Sequence, residues 1–288
     1  MFIQFISDNL ISIIFIAAII IYTIGSVKHA LKEKDVSLPD EQTQVQEPVN
    51  DSNQLIYYGN KPGISDEDIE NSLSTWQPYY KNLQPFLQQK FFQRVKEFMQ
   101  QKVFVIHSKE GYKEMPVLTS AAAVQVTFGL NDFLFPSFNT IEIFPEEFFD
   151  GNCNKILNGI VDNNIISIAW NQFLKGNSNY TDRENVGIHE MAHALYYQKI
   201  IINKNDDAFT RNFTEVMKQG EKIYSSRGQQ NSLFNSYAFK NMQEFWAESI
   251  EMFFEDPSSM QITYDELFTA IKTLLNQDPG NNVSPVLS

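Results

Sequence analysis

Between Asn185 and Tyr196 the chain reads NVGIHEMAHALY, and inside it His189-Glu190-Met191-Ala192-His193 sets two histidines four residues apart, with a glutamate beside the first. This H-E-x-x-H arrangement constrains the fold more than any other stretch. On an α-helix, residues four apart stand one turn apart on the same face, so both imidazoles reach one metal ion. The glutamate then lies beside the place where that ion would hold a water. The flanks read as helical. Thr181 with Glu184 forms an expected capping box, Asp182 suits a helix N-terminus, and neither Pro nor Gly interrupts Ile188 to Ile202. Two of the chain's four histidines fall here. They sit among Val186, Ile188, Met191, Ala192, Ala194 and Leu195, where burial is expected, and a buried imidazole pair needs partners that a metal supplies.

A zinc ion that does chemistry takes three protein ligands and keeps one position open. No histidine follows His193, so the third ligand is expected to be acidic. The richest source is Asn241 to Asp256, NMQEFWAESIEMFFED, a predicted helix with Asn241 as N-cap and Pro257 just past its end. It offers Glu244, Glu248, Glu251 and Glu255. Glu244 and Glu248 share a face near Phe245 and Met252, whereas Glu255 lies at the end. Glu244 also fits a capping-box position, and periodicity leaves Glu244 and Glu248 both open.

The 288 residues, 43% apolar and 14% aromatic, describe a folded chain with room for one large domain or two small ones. A net charge of -13 argues against nucleic acid as a partner. The single cysteine, Cys153, excludes an intrachain disulfide framework and suits a reducing compartment. Its polar loop has no catalytic-cysteine context.

Asn9 to Val27 is uncharged, apolar on every side and long enough to cross a bilayer. Without a basic segment before it or a small-residue cleavage site after it, it reads as a membrane anchor, not a signal peptide. Lys28, Lys32 and Lys34 follow, so the positive-inside rule predicts a single-pass protein with the rest of the chain in the cytoplasm. Residues 1–28 are thus expected to anchor, 29–75 to form a polar linker folded at most near its end, 76–276 to form the catalytic domain, and 277–288 to be a frayed tail. Within the domain, Phe86 to Gln101 and Leu118 to Gly129 read as helices and Val103 to Ile106 and Ile141 to Phe144 as strands. Ile165 to Trp170 reads as a further strand, followed by a loop through Gly176. Ser225 to Asn235 reads as a loop and Glu266 to Leu275 as a last helix. His107, alone after a strand, reads as structural.

The chain resembles the zinc metallopeptidase family of Mlc titration factor A, whose site is related to that of the anthrax lethal factor catalytic domain. The resemblance rests on Ala169-Trp170, on Asn185 to His193 (NVGIHEMAH) and on Glu244 to Glu248 (EFWAE), with FLQQK from Phe86 and IFPEEF from Ile143 as further landmarks. It implies an α+β, zincin-like metallopeptidase domain, mostly helical with a small sheet, here preceded by one N-terminal transmembrane helix. It also implies Zn2+ held by His189, His193 and Glu244, Glu190 as general base, and Tyr237 stabilising the oxyanion. Glu248 would orient a ligand histidine through its other ring nitrogen. The chain departs from the family at Tyr196, where an Asp is frequent, and in its N-terminal run.

The function expected is therefore a membrane-anchored zinc-dependent peptidase acting on peptide or protein substrates, with the strand ending at Trp170 as a place for an extended peptide to pair. The rival is a membrane-tethered regulatory or protein-binding module that keeps zinc without turnover, and a regulatory protein partner is left open. No G-x-S-x-G elbow or phosphate-binding P-loop supports a metal-free hydrolase.

Overall fold

Ser65 makes the acidic run Asp66-Glu67-Asp68 the first turn of a helix. Its hydroxyl accepts from the Asp68 amide, and the Asp68 carboxylate accepts from the Ser65 amide at 3.0 Å. The three acidic side chains also suit the positive end of the helix dipole. The resulting α1 (Asp66–Trp76) buries Ile69 and Leu73 on one face. Before it, β1 (Leu55–Tyr58) pairs antiparallel with β2 (Val103–Ile106). Helix α1 falls at the end of residues 29–75, where folding is allowed for, while β1 lies earlier, in the part expected to be linker. Polar composition there masks an i, i+4 apolar pair and a strand-forming cluster.

The computed structural model describes residues 54–59, 63–108, 112–179, 181–203, 206–226 and 233–281. These residues belong to one unit, 51–288. The apolar run Asn9 to Val27 and residues 227–232 of the expected loop lie outside the described residues. No helix among the described residues is long and apolar enough to cross a membrane.

The fold is mostly helical with a small sheet. A short α2 (Pro78–Lys81) leads to α3 (Pro85–Gln100), which buries Leu87, Phe91, Val95 and Phe98 as its apolar spacing predicts. After β2, α4 (Glu114–Thr127) runs through the core, buried at every residue from Met115 to Thr127. Its buried Thr119 and Thr127 hydroxyls donate to the carbonyls of Met115 and Ala123, both at 2.7 Å, while the buried Ser120 hydroxyl has no hydrogen-bond partner among the described residues. It begins before the predicted Leu118. The chain then forms β3 (Thr140–Phe144), a hairpin of β4 (Phe148–Asp150) and β5 (Lys155–Leu157), then β6 (Gly159–Asp162) and β7 (Ile165–Ala169).

The five-stranded sheet has the order β1-β2-β3-β7-β6. Its centre, β2-β3-β7, is parallel, and both edge strands are antiparallel to their neighbours. The strand ending near Trp170 is therefore internal, and β6 is the edge on that side. Trp170 itself starts α5 (Trp170–Ser178), stacking on Phe173 one helical turn on, with ring centroids 5.2 Å apart. This replaces the loop expected through Gly176.

The remaining elements are α6 (Val186–Tyr196), continued by a wider π-helical turn over Tyr197–Ile202, α7 (Asp207–Ser225), a 3-10 turn at Tyr237–Phe239, α8 (Met242–Glu255), α9 (Pro257–Thr263) and α10 (Asp265–Leu275). Left-handed Asn276 ends α10. The start of the expected frayed tail is tied down. Buried Gln277 accepts from the Tyr79 hydroxyl at 2.6 Å and donates to the Gln125 carbonyl at 3.0 Å. Helix α6 lies at the middle of this arrangement, against α4, α5, α8, β6 and β7.

Candidate metal centre

The helix carrying the two histidines is capped by Asn185, not Thr181. Arg183, with φ of +64°, turns the chain out of a helical path between them. The Asn185 Oδ1 then accepts from the Ile188 amide at 3.1 Å. Gly187 lets α6 approach α5: a Cβ there would lie 2.5 Å from the Phe173 ring. Helix α8 packs across α6, pinned by the Trp246 indole donating to the Ala192 carbonyl at 2.9 Å. Asn241 caps α8 through the amides of Gln243 and Glu244, which sets Glu244 one turn into the helix, facing the histidines.

Three side chains meet there. The Nε2 atoms of His189 and His193 stand 3.1 Å apart, and Glu244 Oε2 is 3.2 Å from each. One face of a tetrahedron with metal–ligand bonds of about 2.0–2.1 Å has edges of about 3.3–3.4 Å. The donor set and its spacing therefore fit a divalent metal such as zinc, and the three form a group able to hold one. The His189-Glu248-Glu251 combination overlaps it on the other side of His189.

Glu244 divides its oxygens. While Oε2 faces the histidines, Oε1 accepts from Lys240 Nζ at 2.8 Å and from the Tyr237 hydroxyl at 3.2 Å. Lys240 also donates to the Tyr237 oxygen at 3.3 Å. Burial alone would raise the Glu244 carboxyl, but hydrogen bonds from His189, His193 and Lys240 outweigh it and hold the group well below its usual range. Burial works against the charged form of His189, yet Glu251 and Glu244 raise it well above an ordinary histidine. Burial prevails at His193 and lowers it.

Glu190 is buried, and that burial pushes its carboxyl up to about 7 despite the opposing charge of His189. Its side chain lies along β6. A Cβ on Gly159 would come within 2.6 Å of the Glu190 Cγ and Oε1, so only glycine lets the edge strand run this close. Tyr237 is half-exposed, and its hydroxyl is raised by burial and by Glu244.

Glu248 does not take the place expected for it. Its carboxylate accepts from Asn235 Nδ2 at 3.0 Å, and burial pushes it up to about 7. The carboxylate on His189 is that of Glu251, whose Oε1 accepts from Nδ1 at 2.5 Å. Residues 244, 248 and 251 follow helical spacing along α8, so the helix pattern alone does not decide which acid reaches Nδ1; the crossing of α8 over α6 does. Glu251 is among the four acids the sequence offers, whereas Lys240, one turn before Glu244, is a site residue that no sequence signal singles out. His107 stands apart from the centre, stacked on Phe144 with its Nδ1 3.2 Å from Gln54 Nε2. Cys153 is exposed in the β4–β5 turn. Tyr196 is buried against Tyr197 and Phe213, a packing role in place of an acid.

A sequence model of the glucose-regulated metallo-peptidase family M90 matches residues 59–275. No curated protein matches the chain.

Proposed function

We propose that this chain, which belongs to the M90 family of glucose-regulated metallopeptidases, is a zinc-dependent peptidase of zincin type. The observation that carries the reading is the convergence of His189 Nε2, His193 Nε2 and Glu244 Oε2 within 3.2 Å of one another, with Glu190 beside them.

His189, His193 and Glu244 would hold the ion, and Glu190 and Tyr237 do the chain's own chemistry. Bound zinc supplies Lewis acidity toward a water and a peptide carbonyl. Glu190, buried beside His189, accepts the proton of the attacking water and passes it to the leaving amine. The Tyr237 hydroxyl releases Glu244 and donates to the carbonyl oxygen as negative charge grows on it, while Lys240 keeps hold of Glu244 Oε1. The edge of β6, in place of the internal β7, takes the extended substrate, because an added strand needs unpaired backbone groups. Gly159 brings that edge against Glu190.

The domain works tethered to a membrane by Asn9 to Val27, with Lys28, Lys32 and Lys34 on the cytoplasmic side. Protease protection in sealed vesicles tests this: a C-terminal tag digested only after the cytoplasmic face is opened agrees with it, and a tag digested from outside intact cells contradicts it.

Turnover is tested with a peptide library, using wild type with and without a zinc chelator, and Glu190→Gln. The reading predicts cleavage that chelation stops and a loss of about 10²–10⁴-fold in the variant. Near-normal cleavage by Glu190→Gln would falsify the mechanism. A chain that binds zinc and cleaves nothing would favour the regulatory-module rival.

A further inference from the structure

We propose that Glu251 is the residue that positions His189, tying its imidazole to the N-terminus of its own helix. This rests on the metal-centre reading above and assigns to Glu251 a role that spacing along α8 leaves undecided.

Glu251 is buried, and both its oxygens are used. Oε1 accepts from His189 Nδ1 at 2.5 Å, and Oε2 accepts from the Asn185 amide at 2.6 Å. Asn185 is in turn held on all sides. Its carbonyl accepts from the His189 amide at 2.9 Å, its Oδ1 caps Ile188, and its Nδ2 donates to Glu255 Oε1 at 2.9 Å. His189 is therefore gripped twice, at its main chain by Asn185 and at its ring by the carboxylate that also holds Asn185.

Two consequences follow from this closed loop. A carboxylate on Nδ1 holds a proton there, so in the neutral ring it is the lone pair of Nε2 that faces Glu244 and His193. A rotation of the ring would break a buried charge-assisted hydrogen bond, so the ring plane is set before any ligand arrives. Among the described residues it is Glu251 that bonds His189 Nδ1, while Glu248 Oε2 accepts from Asn235.

Glutamine at 251 separates this role from simple space filling. Its single carbonyl oxygen serves the Asn185 amide or His189 Nδ1, not both, at nearly unchanged volume. The test compares full-length wild type, Glu251→Gln and Glu248→Gln for zinc affinity, by competition with a chromophoric chelator. Nitrogen-15 spectra of the histidines, recorded without zinc at a pH high enough to leave His189 neutral, report its tautomer. The proposal expects a Nδ1-protonated His189 in the wild type, a mixture of tautomers in Glu251→Gln, and zinc affinity about 10–100-fold weaker there. Glu248→Gln should weaken zinc by less than about threefold on the same scale. Unchanged zinc affinity in Glu251→Gln, or an equal loss in Glu248→Gln, overturns it. So does a wild-type His189 protonated at Nε2, which is read without zinc and without any variant. A folded wild type that binds no zinc would instead sink the metal-centre reading, and the tautomer would still decide the role of Glu251.

Discussion

Tyr237 is a core-forming residue type found half-exposed, with its hydroxyl on a carboxylate oxygen that the histidines do not use. A packing aromatic and an oxyanion donor predict different results for Tyr237→Phe. The packing role predicts a change in stability alone. The catalytic role predicts kcat lower by about 10²–10³-fold with zinc content and thermal midpoint little changed. Steady-state kinetics beside a melting curve distinguish the two, and an unaltered kcat would remove Tyr237 from the mechanism. Gly159 makes a second residue-level case. An alanine Cβ would press on the Glu190 side chain, which is flexible enough to move but would leave its working position. Gly159→Ala should therefore lose about 10²-fold in turnover while keeping its metal, since misplacement of about 1 Å is that costly. Normal turnover in this variant would mean that β6 does not set the position of Glu190.

At the scale of elements, α6 and α8 form one unit joined by Trp246 to Ala192, by Glu251 to His189 and Asn185, and by Glu255 to Asn185. Glu255 makes that joint sensitive to pH. Burial pushes its carboxyl up to about 8, above its usual 4.5, and its Oε2 has no hydrogen-bond partner. The folded state therefore keeps a proton that the unfolded chain has lost between these values. Its contribution to stability falls as pH rises from about 4.5 to about 8, by up to a few kcal/mol. Glu255→Gln retains an acceptor for Asn185 and should flatten that part of the stability curve. Denaturant unfolding at pH 5 and pH 8 measures it, and an equal pH dependence in both proteins would show that Glu255 does not carry the effect.

The same two helices show what was legible in the sequence. The spacing of His189 and His193 and the Asn241 cap define two helices and their facing sides, because both signals are local. The choice among Glu244, Glu248 and Glu251 depends on where α8 crosses α6, which no local pattern encodes. The cap of α6 falls at Asn185 and not at the expected Thr181, because left-handed Arg183 turns the chain between them and composition carries no mark of that turn. The strand predicted through Trp170 ends at Ala169, and its place inside the sheet, not at its edge, is a matter of long-range pairing.

At the scale of the whole molecule, the sheet and α4 are completed by segments that composition alone assigns to a linker. Leu73 is fully buried on α1, and β1 closes the sheet beside β2. Leu73→Ala should destabilise the domain by about 2–5 kcal/mol, as for other large buried side chains. Denaturant midpoints check this, and a loss within ordinary surface values would place α1 outside the cooperative core. For the same reason a fragment starting at Trp76 would lack an edge strand and a core helix, so metal binding belongs on the full-length chain.

The central claim is that His189, His193 and Glu244 hold one catalytic zinc. Elemental analysis of zinc per chain, on full-length wild type and Glu244→Ala, tests it without knowledge of the substrate. The account predicts about one zinc in the wild type and a clear loss in the variant. No zinc in a folded wild type supplied with the metal, or undiminished zinc in Glu244→Ala, would contradict it.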